Sequence, residues 1–493
     1  MNLAEPIVRY ATEQPNKIAL TDGQDCRTYL ELVMAMKKIA HGLQQNGLVH
    51  EKIAILSTNR MEFVEVFLGA IYAGCIPIPL DPKWSENEIS AILQLCQPKM
   101  IFAEPVFAIN LTSQDSEIQL LTFTAEETGS YDNWSARLLP IAEMDNTNEL
   151  LFIGFTSGTT GIPKGYMRTH LSWIKSFEAT NEAFQFDNME HILAPGPFVQ
   201  SLSLFALMQS LYFGATFHIV HKFNPQEVLT LCKQNPDAIL FVVPTMIESM
   251  MQQAVQEQTQ IQALISSGAK WSTESKKRAK EIFGEANLYE FYGSSEASYI
   301  SYLDVFAENK SNSVGKPFSG VQVSIRDEHF QEAPIGTIGQ LYIRSDLMFS
   351  GYHHLPEETS AAFQDGWLIL GDYMYMDEDG YLYLAGRAKN MLVSGGLNIF
   401  PEEVESVLQQ LPAIQEVMVL GVPDLYWGEQ VTALVKWNGQ HRLSIKEIKD
   451  YCRQHLASYK APKQLITVDH FIYTGNGKLA RKAMKDYVEK VKV

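Results

Sequence analysis

Ten consecutive residues, Thr156-Ser157-Gly158-Thr159-Thr160-Gly161-Ile162-Pro163-Lys164-Gly165, constrain this chain more than any other stretch. They follow an apolar run, Leu150 to Phe155, with the length and composition of a buried strand. Three glycines let the backbone turn tightly and bring its N–H groups against an anion. The hydroxyls add neutral donors and Lys164 a positive charge, so the loop is equipped to hold a polyphosphate. It is not a Walker A loop, which needs Gly-Lys followed by Ser or Thr; here Pro163 precedes Lys164 and Gly165 follows it. A flexible surface loop shares this composition, and the rest of the chain has to separate the two readings.

At 493 residues the chain is too long for one simple core, and its length suggests about two to four domains. A formal net charge of -18 argues against a general nucleic-acid binder. It also requires that any anionic substrate be met by locally placed cations or a metal. The five cysteines, Cys26, Cys75, Cys96, Cys232 and Cys452, include no Cys-x-x-Cys pair. That suggests neither a disulfide framework nor a zinc site, and fits a reducing compartment. Glu5, Arg9, Glu13 and Lys17 rule out a secretory signal in the first twenty residues. Ile192 to Val220 carries no charged side chain, long enough to span a bilayer, yet Pro195, Gly196, Pro197, Gln200, Gln209 and Gly214 interrupt it. It reads as protein interior with no integral membrane segment, and a cytoplasmic location is expected.

Thr28…Glu31 has capping-box spacing, with apolar residues following at helical intervals through Leu43. Lys52 to Ser57 is strand-like, Arg60 to Tyr72 a buried helix closed by Gly74, and Cys75 to Leu80 a strand. Strand, helix, strand implies right-handed crossovers and a mainly parallel sheet. Residues 105–147 are polar and irregular. Thr169 to Phe184 reads as a helix; Ala238 to Val243, Ile261 to Ser266 and Leu288 to Tyr292 read as strands. A turn at Ser266-Ser267-Gly268-Ala269-Lys270 would face a ligand at the carboxyl end of the sheet. Alternation such as Gly339 to Arg344 suggests an antiparallel β subdomain over 310–385. Past Gly386 the pattern changes to strands at Val417–Gly421, Val431–Trp437 and Gln464–Val468. A helix capped by Ser444…Glu447 lies between the last two, enough for a small α+β domain.

The motifs TSGTTGIPKG (156–165), YGSSE (292–296), GDY (371–373), GRAKNMLVSGGLNIFPEEVE (386–405), VPDLYWGE (422–429) and NGKLARK (476–482) resemble, in kind and order, those of the adenylate-forming superfamily. That superfamily comprises acyl-CoA synthetases, adenylation domains and luciferases, and the likeness covers nearly the whole chain. It implies an α/β fold with a large N-terminal domain, 1–386, of mainly parallel sheets layered with helices plus a β subdomain. A small C-terminal α+β domain, 387–493, rotates on a hinge at Lys389.

The resemblance assigns nucleotide contacts to Thr156, Ser157, Gly158, Thr159, Thr160, Gly161, Lys164, Gly268, Ala269, Glu290, Tyr292 (against adenine), Gly293 and Ser295 (on the α-phosphate). Asp372 and Arg387 would hold the ribose and Glu296 the Mg²⁺, a hard cation that takes oxygen ligands. The family more often has Thr where Ser295 stands, a change that keeps the hydroxyl. Lys478 matches the lysine that enters the site for adenylation, where a fixed ammonium offsets developing charge. Arg481 and Lys482 are expected to stay solvated. Gly395-Gly396 would border the pantetheine tunnel, although a plain hairpin turn has the same sequence. An acyl pocket would draw on Phe198, Gln200, Ser201, Val242, Gly268 and Gly293; Gln200 replaces the His common in acyl- and aryl-CoA synthetases. With no Asp or Glu from Ile192 to Val220, a substrate ammonium would find no counter-charge, which disfavours an amino acid.

The expected activity is therefore an acid–CoA ligase using ATP, Mg²⁺ and CoA on a fatty or aryl acid. A stand-alone enzyme loading an acyl carrier protein, and a non-catalytic nucleotide- or acyl-binding relative, are the alternatives.

Overall fold

Continuous apolar runs in the first half of the chain are buried on both faces, the condition under which parallel strands form. The structure, a computed structural model, describes residues 2–491 except 109–117, 125–128, 157–162, 187, 254–258, 269–270, 272, 285, 307–309, 311, 395, 425 and 475–478. Among these residues the strands form five sheets. Ile76–Leu80, Lys52–Leu56, Met100–Ala103 and Gln119–Thr122 lie side by side, all parallel. Helix Met61–Tyr72 makes the first crossover and is buried on almost every side, its sequence apolar except for Glu62 and Glu65.

A nine-stranded sheet runs in the order Lys316–Pro317, Ser298–Asp304, Asn287–Ser294, Ala263–Ser266, Ile239–Val242, His191–Leu193, Thr216–His218, Ile18–Thr21, Cys26–Thr28. Its central pairs are parallel and its edges antiparallel. The uncharged stretch supplies two of these strands and helix Ser201–Phe213, all interior. No helix of the described residues is long and apolar enough to cross a membrane.

The expected strand before the phosphate loop is present as Leu150–Thr156, but it is one arm of a hairpin. Its antiparallel partner is Lys164–Thr169, with Thr156 opposite Lys164, and Gly351–Tyr352 pairs on the far side. The antiparallel subdomain comprises Gln322–Arg326, Gly339–Arg344, Trp367–Met376, Phe363–Gln364 and Leu382–Arg387. In the small C-terminal domain, Leu397–Ile399, Leu392–Ser394, Gly428–Trp437 and Ile414–Asp424 are antiparallel, with Gln464–Thr467 parallel to Gly428–Trp437. The capping boxes at Thr28…Glu31 and Ser444…Glu447 are both formed.

Two expectations need correcting. The segment 105–147 is not featureless. Gln119–Thr122 completes the parallel sheet, and helix Tyr131–Ala136 anchors to helix Met61–Tyr72 through the Tyr131 hydroxyl, which donates to buried Glu65 at 2.5 Å. Arg481 is not solvated. Its Nη2 donates to Glu405 at 2.6 Å and its Nη1 to the Val419 carbonyl at 2.9 Å. The reason is hydrophobic: helix Arg481–Val491 buries Met484 and Val488 against Met418 and Leu420, carrying Arg481 to only 23% side-chain exposure. Burial pushes the Glu405 carboxyl up even with Arg481 beside it.

Removing one member of a buried pair strands the other, so Arg481→Met should cost about 3 kcal/mol, read by denaturant unfolding and by faster amide exchange in the last helix. Acid should weaken the fold through buried histidines. The Leu3 N–H donates to His170 Nδ1 at 3.0 Å, and burial pushes His170 and His218 each down to about 4. Unfolded, such groups titrate near about 6.5, so the unfolded chain takes up protons first. Stability should be full above that pH and fall between roughly 6.5 and 4. His170→Gln, which can still accept from Leu3, should shallow the pH slope of the urea midpoint.

Candidate active site

The carboxyl ends of the central strands, the phosphate-loop hairpin and the antiparallel subdomain meet around the turn Tyr292–Glu296. Gly293 is required there for a reason the sequence does not show: a Cβ would lie 2.2 Å from the Ser298 carbonyl, where the antiparallel register slips. Gly268, at φ +93°, turns the chain out of strand Ala263–Ser266.

One cluster centres on Asp372, 1% exposed. Its Oδ1 accepts from Arg387 Nε at 2.6 Å, its cross-strand neighbour, and its Oδ2 accepts from the Tyr292 hydroxyl. Burial, with Asp372 beside it, raises the Tyr292 phenol, which therefore remains a neutral donor. A second cluster holds Glu296. The Tyr352 hydroxyl donates to its Oε1 at 3.0 Å, and Lys164 Nζ stands 5.6 Å from the centre of the Tyr352 ring. Lys389 lies on the turn Ala388–Asn390, directly after Arg387. Burial and Arg387 lower its pKa, while Asp372 and Glu296 pull the other way. The Asn390 amide donates to Glu402, and Tyr373 packs on Phe400 at 4.9 Å, fastening this turn to the small domain.

Ser295 is gripped twice. Its hydroxyl is 2.8 Å from Ser201 Oγ, itself 2.8 Å from the Tyr166 hydroxyl, and its carbonyl accepts from Arg168 Nη1 at 3.0 Å. Arg168 also donates to the Leu347 carbonyl at 2.7 Å, and complete burial pushes it down to about 10.

Other expected residues take different surroundings. Glu290 is buried against Lys276 Nζ at 2.5 Å and accepts from the Trp271 N–H at 3.2 Å. The Phe198 ring packs between Phe63 and Phe217, at 5.5 and 5.8 Å, and Val242 is fully buried in the adjoining core. Gln200 precedes helix Ser201–Phe213 and is half-buried. Gly396, at φ +79°, lies in the turn joining Ser394 to its paired residue Leu397. Thr156 ends its hairpin arm. Ser157, Gly158, Thr159, Thr160, Gly161, Ala269, Gly395 and Lys478 lie outside the described residues.

Sequence reasoning missed Tyr352, Arg168, Tyr166 and Asn59. Asn59 holds the 195–199 segment by donating to the Gly196 and Val220 carbonyls and accepting from the Phe198 N–H. The alternation of Lys164, Tyr166 and Arg168 along one strand was the available signal for Tyr166 and Arg168.

Among the described residues no group of three or more His, Cys, Asp or Glu gathers to cage a metal. Glu296 offers a single carboxylate whose Oε2 no described donor engages, a set that suits a cation bound mainly through a substrate's phosphates.

The sequence profile of the AMP-binding enzyme family matches residues 7–353, and that of the AMP-binding enzyme C-terminal domain matches 403–478. The chain is 33% identical to the uncharacterized acyl–CoA ligase YhfT of Bacillus subtilis, over 97% of each chain. It is 29% identical to the putative long chain fatty acid-CoA ligase VraA of Staphylococcus epidermidis, over 98% of each. ATP-bound MatB from Rhodopseudomonas palustris superposes over all of both chains with a TM-score of 0.91 at 25% identity.

Asp372→Asn replaces an acceptor by an amide whose NH₂ must face a donor, Arg387 or Tyr292. It should cost about 2 kcal/mol in denaturant unfolding, and calorimetry should show ATP affinity falling at least about tenfold.

Proposed function

The chain belongs to the AMP-binding enzyme family, and from that premise we propose that it is an AMP-forming acid–CoA ligase acting on an apolar fatty or aryl carboxylic acid. The observation that carries the reading is the convergence of two clusters, Asp372–Arg387–Tyr292 and Lys164–Tyr352–Glu296, on one turn. The first supplies a carboxylate and a guanidinium to a ribose beside an aromatic ring. The second sets a cation and a metal-competent carboxylate where phosphates would lie. Mg²⁺ fits Glu296 and would offset charge on the reacting phosphates.

In the first half-reaction a substrate carboxylate oxygen attacks the α-phosphorus and pyrophosphate leaves, giving acyl-AMP. Lys164 and the loop hydroxyls hold the phosphates, Ser295 donates to the α-phosphate, and Lys478 approaches the reacting oxygens; catalysis is positioning and charge neutralisation. Residues 387–493 then turn about Lys389, withdrawing Lys478. The CoA sulfur attacks the acyl carbonyl, its proton passes to solvent, and AMP leaves; this domain motion is a candidate for the slow step. The names of the relatives, acyl–CoA ligase and long chain fatty acid-CoA ligase, agree in substrate class with the uncharged 192–220 segment.

Support for CoA as acceptor comes from a cleft of about 340 Å³ on the small domain, lined by Trp427, Gln430, Lys449, Arg453, Ser458, Ala461 and Lys463. Lys463 Nζ stands 4.1 Å from the Trp427 ring and 3.4 Å from Ser394 Oγ, at the end of strand Leu392–Ser394. Three cations around an indole suit a phosphorylated nucleoside whose base stacks and whose phosphates pair.

Purified protein with MgATP, a panel of fatty, aryl and amino acids, and CoA should yield a fatty or aryl thioester by mass spectrometry. Lys463→Glu should raise the KM for CoA about tenfold or more without changing adenylate formation. Adenylate without thioester would move the acceptor to a carrier protein's phosphopantetheine; no adenylate from a folded, ATP-binding protein would sink the ligase reading.

A further inference from the structure

Lys164, Tyr166 and Arg168 occupy alternate positions of one strand, Lys164–Thr169, and so project from the same face. All three reach the Ser295–Glu296 turn: Lys164 by way of Tyr352, Tyr166 by way of Ser201, Arg168 directly. We propose that Tyr166, Ser201 and Arg168 are positioning residues that fix Ser295 from both ends, aiming its hydroxyl at the incoming nucleotide; this rests on the adenylate-forming reading above.

Tyr166 is seated for the task. Its ring crosses Gly154 on the paired strand, where a Cβ would lie 2.3 Å from the Tyr166 hydroxyl, and it stands edge-on to Phe152 at 5.8 Å. A glycine at 154 is what leaves room for the phenol. With Tyr166 at 2% exposure, its hydroxyl proton is used inside the protein or wasted. Ser201 Oγ lies 2.8 Å from both the Tyr166 hydroxyl and Ser295 Oγ, and Ser295 also bonds the Tyr166 oxygen directly, so the three hydroxyls form one cluster in which Tyr166 and Ser201 together set the position of the Ser295 hydroxyl. Burial raises the Tyr166 phenol, which keeps that proton in place.

Arg168 fixes the other end. It is 3% exposed, and among the described residues no carboxylate lies within ion-pair distance of it. Its guanidinium is spent on neutral acceptors: the Ser295 and Leu347 carbonyls and Ser172 Oγ at 3.2 Å. A buried cation with no carboxylate in direct contact is costly, and the nearby Glu296 charge offsets that cost only in part. Here it pins two loops to the strand that begins at Lys164, and it leaves a positive charge behind the site where an anionic substrate would bind. Arg168 therefore ties the Ser295 turn and the 345–349 loop to strand Lys164–Thr169.

The test is a double-mutant cycle read in two ways, by acid-dependent ATP–pyrophosphate exchange and by the calorimetric Kd for MgATP, on full-length protein whose folding is checked by thermal unfolding. Tyr166→Phe removes one oxygen and should lower the exchange kcat about ten- to a hundredfold and weaken MgATP binding. In a Ser295→Ala background the same change should cost less than about twofold, because the hydroxyl it orients is gone. Arg168→Met should lower kcat and raise the KM for MgATP in the folded fraction, and Arg168→Lys should recover part of the loss. Additive effects of Tyr166→Phe and Ser295→Ala, or wild-type exchange by folded Tyr166→Phe and Arg168→Met proteins, would overturn the proposal. Were wild-type protein to bind MgATP yet exchange pyrophosphate with no acid, the activity would be wrong, and the Kd cycle would still decide the role of Tyr166.

Discussion

A carboxylate with 1% exposure cannot sit inside a protein unless its charge and lone pairs are met, and at Asp372 that requirement joins three parts of the fold. The acceptor lies on strand Trp367–Met376. One donor, Arg387, ends strand Leu382–Arg387 at the expected domain boundary, and the other, Tyr292, comes from the nine-stranded sheet. Arg387 is followed directly by the turn bearing Lys389, so the buried charge fixes the place from which the small domain departs. A residue proposed to hold the ribose thus also ties the turn bearing Lys389 to a sheet.

The same economy governs charge over the whole chain. With a formal net charge of -18, the surface repels anions on average, and affinity for a polyphosphate must come from cations held in place. Lys164, Arg168 and Arg387 lie within or directly behind one site, each held by a neighbour: Tyr352, Ser295 and Asp372. The cleft with Lys449, Arg453 and Lys463 repeats the device on the small domain.

Much of the fold was legible because it depends on local pattern. The capping boxes at Thr28 and Ser444, the buried helix Met61–Tyr72 and the parallel strands all follow from periodicity and end signals within a few residues. Strand Gln119–Thr122 was missed although Ile118, Leu120, Leu121 and Phe123 mark it, because the run is short and set in a polar stretch, and only its docking on Met100–Ala103 makes it part of a sheet. Arg481 was misjudged for the same reason. Two apolar residues later in its helix decide its burial, and its acceptors are 76 and 62 residues away in sequence.

The chain by itself determined the chemistry available: a glycine- and hydroxyl-rich loop ending at Lys164, a hydroxyl and a carboxylate at Ser295 and Glu296, a carboxylate at Asp372, and an interior without charge from Ile192 to Val220. Tertiary structure decided which of these side chains meet and what supports them. It brought Tyr352 to Glu296, Tyr166 and Ser201 to Ser295, and Lys276 to Glu290. Composition and spacing are properties of neighbours along the chain. Buried hydrogen bonds and ion pairs join residues whose separation in sequence carries no pattern, and only the packing of sheets makes them neighbours.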